Sequence, residues 1–474
     1  MLSRMLLRAV FIVCLSALPF YGQGAPRSPE KPWAVPDHAL RQLEGKEIDS
    51  RLTTVDPRTI YTLPQLVDLA EQNNPQTRIA WERAKQRAAT LGVAESALFP
   101  TVAAIASTSI NQYSLFNGKF NHENTALFPE SLSLTYTVFD FGHRDARIDV
   151  AKASLLAANF SFNNTHRDLA FHVAEAYYRL LDALSQEDAA RSALKDAQIL
   201  QDAVETRLAN GLATSPDALE ARASAAEARY ELASTEGLEE SARGDLATVL
   251  GIPPSAMLQI QDLSTAPLPA NLEAPVQSIM DRALKQRPDL LAQVSRLTAT
   301  EAGVRQARSA FGPVLAFSGS WGHSNAFGQQ RGGPEVHSAV YPYQAQFNLS
   351  WTVFDGGARK NEANRARAGE QEARAQFEAD RDRVENEVWT AYTHLKTAQD
   401  QEAATEALLA AAQQSYAAAM DAFQAGVRTF LDVSSAQRRL ARARAASVAA
   451  RVRLLSSIAE LAYRSAEPIP GAQH

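Results

Sequence analysis

The sequence almost lacks cysteine, since Cys14 is the only one among 474 residues. It lies inside an apolar run, Ala9 to Leu18, that follows two arginines and precedes small residues ending at Gly24 and Ala25. This order is typical of a secretory signal peptide, and we predict cleavage near Gly24 or Ala25. The mature chain would then contain no cysteine, which suits an oxidising compartment and excludes disulfide and thiolate chemistry.

Long apolar runs and excess positive charge are also missing. After the signal, no segment reaches the ~18 uninterrupted apolar residues of a membrane-spanning helix, so any membrane crossing would have to use strands. Lys and Arg total 47 against 53 Asp and Glu, a net charge of −6 that becomes about −8 without the signal. This balance gives no electrostatic support for a nucleic-acid partner.

Motifs for enzymatic chemistry are absent as well. The sequence has no His-Glu metal motif, no phosphate-cradling Gly-Lys-Ser loop and no nucleophile elbow. His166 and His172 are six positions apart and do not share a helix face as ligands four apart would. We therefore expect no enzyme and no catalytic, cofactor-binding or metal-binding residues.

Two long stretches read as helices without a break. The first runs from Gly142 to Asn210 and the second from Ala358 to Ala425, both dense in Ala, Leu, Glu, Gln and Arg. At ~1.5 Å per residue each would span about 100 Å. Gly211 and Gly426 follow them, and a second helix then runs to about Leu250 and Tyr463 respectively.

Four shorter segments are predicted strands: 101–113, 131–139, 314–322 and 343–354. Asn, Gly and Pro in residues 114–130 and 323–342 predict hairpin loops between them. The second and fourth strands alternate apolar with small polar residues, as a barrel wall does with lipid outside and water inside. On these residues alone, a sandwich strand with one face in a core is equally compatible.

The chain contains a duplication. Val138-Phe139-Asp140 returns as Val353-Phe354-Asp355, 215 positions later, and Pro100 returns as Pro313. We predict two repeats, each a helix, a strand hairpin, a long helix, a turn and another long helix. The predicted organisation is signal peptide 1–24, extended leader 25–60, first repeat 61–250, linker 251–274, second repeat 275–463 and C-terminal tail 464–474.

Four strands cannot close a membrane barrel, for which ~8 is the lower limit, so several chains must contribute. Three chains would supply twelve strands, and their long helices could form the wall of a tube. A periplasmic coiled-coil scaffold without a pore is the alternative of a different class.

The chain resembles the TolC-type outer membrane factors in several features taken together. These are the signal peptide, the duplicated halves, the strand ending V-F-D-[FG]-G and the turns N-G-L-A-T-S-P-D and A-G-V-R-T-F-L-D. The resemblance covers residues 61–463. It implies a homotrimer with a twelve-stranded β-barrel in outer membrane lipid, continuous with a long α-helical periplasmic barrel. It also implies docking to a periplasmic adaptor and to an inner-membrane ABC-type transporter. A general similarity to the toxin-secretion branch, such as the adenylate cyclase toxin exporter, favours type I protein secretion, with multidrug or metal efflux as the alternative.

The resemblance also assigns site residues. It implies a periplasmic gate in which Asp217 attracts Arg428 and Asp432 forms a ring at the constriction. Phe423 stands where similar proteins have tyrosine, and Ser435 where a second ring aspartate is usual, which implies a looser latch. The helix-tip turns, implied as the adaptor-docking residues, are Gly211, Leu212, Gly426 and Val427, and the strand–helix junctions are Asp140, Gly142, Asp355 and Gly357.

Spacing gives the same tip residues a capping role. Ser215 and Thr429 stand at N-cap positions, and Asp217 and Asp432 in the first helical turn. Gly211 and Gly426 are expected as left-handed C-caps. Both roles can coexist. The arginines between 438 and 453 are expected to pair with the acidic stretch Glu370 to Glu387.

Overall fold

The computed structural model describes residues 56, 58–116, 120–256, 258–261, 275–330 and 333–469. All of them belong to one compact unit, Leu52–His474. The predicted signal peptide, most of the predicted leader, residues 262–274 of the linker and residues 470–474 of the tail lie outside the described residues.

The first half of the chain has two short helices, a set of strands and two long helices. Its elements are β1 (Ile60–Tyr61), α1 (Leu63–Asn73), α2 (Pro75–Glu95), β2 (Thr101–Ala106), β3 (Ser109–Phe116), β4 (Phe120–Phe139), α3 (His143–Ala209) and α4 (Ser215–Leu250). The order of helix, strands and long helices is the one that the sequence pattern predicted.

The second half repeats this order. Its elements are β5 (Gln259–Ile260), α5 (Val276–Gln286), α6 (Pro288–Ser309), β6 (Val314–Gln330), β7 (Glu335–Val340), β8 (Tyr343–Ser350), α7 (Ala358–Gln424) and α8 (Phe430–Arg464). β1 and β5 form a small parallel pair between the halves. The predicted long helices are confirmed, since α3 and α7 each contain 67 residues. Among the described helices, none combines the length and the apolar character needed to cross a membrane.

The six remaining strand segments form one antiparallel sheet that is four positions wide. The order is β2-β4-β6-β8 near the helices and β3-β4-β6-β7 farther away. The central pair joins the halves, from Glu123 opposite Gln330 to Phe139 opposite Leu315. In the described chain, β2 with β3 and β7 with β8 have no partner on their outer sides.

The predicted extents of the strands and of the loops between them were partly wrong. The predicted loops 114–130 and 323–342 are largely strand, because continuous pairing between β4 and β6 satisfies the backbone of a polar segment that lacks strand-like composition. The fourth predicted strand ends at Ser350 and not at residue 354. The first is divided at residues 107–108, where Ser107 N–H donates to the carbonyl of Pro129 at 3.0 Å.

One face of the sheet is apolar and remains uncovered. Exposed side chains on this face are Val102, Leu132, Trp321, Phe347 and Leu349. The residues between them in the strands are mostly small and polar, as the alternation predicted.

The long helices pack side by side. Toward the turns that end α3 and α7, α3 lies between α4 and α8, and α7 packs on α8. Toward the sheet, α3 lies between α2 and α6, and α7 packs on α6. The largest core cluster surrounds Val173, Leu180 and Leu181 of α3, and a second surrounds Val384 and Val388 of α7.

Candidate functional site: helix tips and strand–helix junctions

The two helix-tip turns have the same backbone geometry. Gly211 and Gly426 adopt left-handed conformations, with φ of +72° and +75°. The next residue in each turn donates its N–H back into the helix, Leu212 to the Arg207 carbonyl at 2.8 Å and Val427 to the Ala422 carbonyl at 2.9 Å. The predicted left-handed C-caps are therefore confirmed. Leu212 and Val427 stand 68% and 78% exposed at the ends of the turns.

A threonine begins each returning helix. Thr429 is the N-cap of α8, as predicted, but the N-cap of α4 is Thr214 and not Ser215. Ser215 and Pro216 instead occupy the first two helical positions, because Pro216 lacks an N–H and is tolerated there. Both threonines form capping boxes with the aspartate three residues later.

These boxes lower the pKa values of the tip aspartates. The Thr214 hydroxyl donates to Asp217 Oδ2 at 2.6 Å, and the Thr429 N–H and hydroxyl donate to Asp432 Oδ2 at 3.1 and 2.9 Å. Hydrogen bonds from the Thr214 hydroxyl and N–H lower the pKa of Asp217, and those from the Thr429 N–H and hydroxyl lower the pKa of Asp432. Both carboxylates therefore stay ionised at neutral pH.

Arg428 and Asp217 are not brought together in the described chain. Arg428 Nη1 lies 3.4 Å from Asp432 Oδ1, one helical turn away, and both side chains are solvent-accessible. The side-chain hydrogen bonds of Asp217 in the described residues go to Thr214. The expected attraction is thus absent within the described part of one chain. Ser435 donates to the Asp432 carbonyl at 3.0 Å.

Phe423 joins the two helical hairpins, which are α3 with α4 and α7 with α8. Its ring is 5% exposed and packs with Leu200 and Val204 of α3 and Val433 of α8. The guanidinium of Arg207, from the last turn of α3, lies 4.7 Å from the ring centroid. A phenylalanine therefore fits this position through burial and a cation–π contact, without a hydroxyl group.

The strand–helix junctions share one Asp–Arg arrangement. Asp140 Oδ2 accepts from the N–H and Nε of Arg144 at 3.1 and 3.0 Å. Asp355 Oδ2 accepts from the N–H and Nε of Arg359 at 3.1 and 2.6 Å. Each aspartate satisfies a free N–H in the first turn of a 67-residue helix. Gly142 and Gly357 precede those helices with φ of +80° and +89°.

A buried charged network lies midway along the helices. Arg287, 4% exposed, donates from Nη2 to Asp289 Oδ2 at 2.7 Å and from Nη1 to Glu387 Oε2 at 2.8 Å. Arg464 Nη1 also reaches Glu387 Oε2, at 3.1 Å. Burial by itself would raise the pKa of Asp289, but the hydrogen bonds and charge of Arg287 outweigh it, so this pKa is lowered.

Sequence reasoning missed Arg207, the junction arginines and this network. Arg144 and Arg359 stand 215 positions apart, so aligning the repeats would have found them. Arg207 and Arg287 carry no comparable signal. The described residues contain no group of three or more His, Cys, Asp or Glu side chains placed to bind a metal.

The prediction for the arginines between 438 and 453 was wrong. Arg444 pairs with Asp196 at 2.7 Å and Arg451 with Glu402 at 3.0 Å. The reason is the position of the turn between α7 and α8. Because this hairpin turns at Gly426, this part of α8 lies beside residues near 400 and not beside residues 370–387.

Both halves of the chain match one known protein family. A profile of the outer membrane efflux protein family matches residues 66–252 and 279–463, once in each half. The chain belongs to the outer membrane efflux protein family. The predicted resemblance is confirmed, and the family is one of outer membrane channels.

Two relatives and one solved structure show how similar the chain is to known proteins. Protein CyaE of Bordetella pertussis is 29% identical over 343 residues, covering 71% of this chain and 69% of the relative. The pyoverdine export outer membrane protein OpmQ of Pseudomonas aeruginosa is 27% identical, covering 84% and 83%. The solved outer-membrane channel OprN has a TM-score of 0.76 at 22% identity, covering 94% of this chain and 99% of that one. The fold of this efflux-family chain is therefore that of an outer membrane channel.

Proposed function

We propose that this protein is the passive outer membrane exit duct of a tripartite export system, formed by three copies of the chain. An adaptor in the periplasm and an inner-membrane transporter would complete the system, with the transporter supplying the energy. Family membership supports the channel, and the following observations support the assembly.

The observation that carries the proposal is the open sheet. Its apolar face is exposed, and both outer edges are unpaired in the described chain. Its other face is mostly small and polar, with four exposed aliphatic side chains: Ile105, Val314, Val336 and Val340. A sheet with free edges and an uncovered apolar face is expected to pair with another chain or to contact lipid. Joining the β2/β3 edge of one copy to the β7/β8 edge of the next closes twelve strands, with the apolar face toward lipid.

The helices support the same closure. In the described residues, α4 packs mainly on α3 and α7 mainly on α8 toward the tips, and toward the sheet α2 packs mainly on α3 and α7 mainly on α6. Joining these free helices between copies would continue the barrel as a tube of about 100 Å, the length of a 67-residue helix.

The tips remain the proposed gate and adaptor-docking region. Asp432 would supply one carboxylate per copy at the constriction. Because Arg428 pairs with Asp432 in its own chain, an attraction to Asp217 would have to form between copies. Unchanged single-channel conductance in both Arg428→Ser and Asp217→Ala would exclude this gate. Leu212 and Val427 offer exposed apolar contacts to an adaptor.

We favour type I protein secretion as the pathway. The similarity to CyaE supports the toxin-secretion branch. Small-molecule export is the second candidate, because the relative OpmQ is a pyoverdine export protein and aligns over more of the chain.

Assembly is tested by outer membrane fractionation, electrophoresis with and without heating, and planar-bilayer recordings of the purified protein. We expect heat-dissociable trimers in the outer membrane fraction that form discrete channels. A periplasmic monomer or dimer without conductance would support the coiled-coil scaffold instead.

The cargo is tested by deleting the gene in its host. We expect a large polypeptide to disappear from the culture medium while tolerance to dyes, detergents and metal ions stays unchanged. An unchanged set of secreted proteins with lowered tolerance would establish efflux.

A further inference from the structure

A cavity of about 580 Å³ lies over α3, between α2 and α6, on the sheet side of the helical region. Its charged side chains are three arginines, Arg83 and Arg87 of α2 and Arg296 of α6. Its floor on α3 contributes the hydroxyl groups of Ser154, Ser161 and Thr165. No Asp or Glu side chain lines this cavity.

The three arginines have no carboxylate partner in the described part of the chain. The acidic residues next to these arginines in sequence are engaged elsewhere, Glu82 with Lys85 at 3.1 Å and Glu301 with Arg374 at 3.9 Å. Asp149, which precedes the α3 floor, pairs with Arg305 at 2.8 Å. Arg83 and Arg87 are also four apart on one helix, a spacing at which like charges repel. The arrangement therefore has unbalanced positive charge.

One of the arginines is held in place. Arg296 Nη1 donates to Gln293 Oε1 at 3.0 Å, and Nη2 donates to Ser161 Oγ at 3.4 Å across the groove. A guanidinium fixed at one side still has donors left, because the group has five N–H bonds in a planar fork.

The duplication shows that the missing carboxylates are specific to this cavity. Arg83 and Arg296 are repeat-equivalent, 213 positions apart like Pro100 and Pro313. The α3 floor, residues 150–167, contains no Asp or Glu. The equivalent part of α7, residues 365–382, contains five: Glu370, Glu372, Glu378, Asp380 and Asp382. The same architecture thus has a mixed-charge helix in one half and a purely cationic cavity in the other.

We propose that Arg83, Arg87 and Arg296 form a binding site for a multivalent oxyanion over the uncharged floor of α3. Guanidinium groups bind phosphate and carboxylate oxygens through paired, charge-assisted hydrogen bonds. On the floor, Ser161 and Thr165 donate their hydroxyl protons to the carbonyls of Ala157 and Ser161, so the arginines supply the donors for the anion. The ligand class is a small compound carrying two or more phosphate or carboxylate groups.

The site is tested by isothermal titration of the purified full-length protein with inorganic pyrophosphate and, separately, with citrate, at fixed low ionic strength. We expect saturable binding of at least one of them. The Arg83→Gln/Arg87→Gln double variant and Arg296→Gln should each weaken it at least about tenfold, because a charge-assisted contact is lost. Preference between the two probes identifies a phosphate or a carboxylate ligand.

Arg305→Gln is the matched control, since Arg305 lies on the same helix, is paired with Asp149 and does not line the cavity. Its affinity should equal that of the wild type, and circular dichroism should show unchanged helix content in all variants. No binding of either probe, or equal weakening by Arg305→Gln, would overturn the proposal. The measurement needs no open pore, so its result is independent of channel function.

Discussion

Arg207 fastens the end of α3 to the end of α7 through a single partner, Phe423. Its Nη1 donates to the Phe423 carbonyl at 2.8 Å, and its guanidinium lies 4.7 Å from the Phe423 ring centroid. The same carbonyl also accepts from the Gly426 N–H at 3.0 Å, so Arg207 is a further donor to it at the helix end. The contact therefore joins the two helical hairpins at the tips, where the proposed gate lies.

We expect Arg207→Ala to loosen the tips. The variant loses a charge-assisted hydrogen bond and a cation–π contact, together about 1–3 kcal/mol. Single-channel conductance in planar bilayers should rise, and its fluctuations should become more frequent. Arg222→Ala is the control, because Arg222 pairs with Glu205 at 2.8 Å within one hairpin. Equal conductance in wild type and Arg207→Ala would refute the fastening role.

The tip carboxylates should make ion selectivity insensitive to pH above about 4. Hydrogen bonds to Thr429 lower the pKa of Asp432 below its ordinary value of 3.8. Asp432 is therefore charged above pH 3.8 and is neutralised only as the pH falls below 3.8. Reversal potentials should show cation preference that is constant from neutral pH to about pH 5 and declines below about 4.

Two variants separate this effect from general surface charge. Asp432→Asn should lose most of the preference at every pH, and Thr429→Val should shift the decline to higher pH because the hydroxyl no longer stabilises the carboxylate. Asp421→Asn, an exposed change near the same tip, is the control. A decline in wild type between pH 6 and 8 would contradict the assignment to Asp432.

Removing Arg287 should be strongly destabilising. Arg287→Gln removes the buried cation that bridges Asp289 and Glu387. These carboxylates then keep only Arg383 and Arg464, whose side chains are 47% and 27% exposed, and we expect a cost of up to about 3–5 kcal/mol. The triple variant with Asp289→Asn and Glu387→Gln should recover part of this loss, since no carboxylate is left without its buried cation, while the more exposed Arg383 and Arg464 lose these partners to solvent. Guanidinium unfolding followed by circular dichroism gives the comparison. If the single variant lost no stability, or the triple variant regained none, the network would not be a stabilising unit.

The Phe141–Gly312 contact should tolerate no methyl group. A Cβ at Gly312 would lie 2.4 Å from Phe141 Cγ, so Gly312→Ala should cost about 1–3 kcal/mol. Phe141 has a φ of +53°, and its repeat-equivalent is Gly356 at +66°. Phe141→Gly should therefore rescue Gly312→Ala, as measured by the yield and melting temperature of trimers. Gly328→Ala, with nothing near its Cβ, is the control. Failure of the rescue would mean that the ring is not the obstacle.

Patterns local in sequence predicted most of the fold. The absence of proline and glycine predicted α3, glycines ended the helices where they were expected, and the repeat predicted the order of the second half. The strand ends were missed because pairing between β4 and β6 is a long-range interaction that residue composition in the 114–130 segment does not encode. At the tips the N-cap moved by one residue to Thr214, which lies within the usual uncertainty of helix ends.

The sequence alone determined the duplication, the two 67-residue helices and the alternation of the strands, because each depends on neighbouring residues or on comparison of the chain with itself. The secretory signal stays a prediction. Only the tertiary structure decided which charges meet. Arg428 pairs with Asp432, Arg207 with the Phe423 carbonyl and Arg287 with Glu387, while Arg83, Arg87 and Arg296 share a cavity. Most of these pairings join residues a hundred or more positions apart, so the packing of the helices determines them.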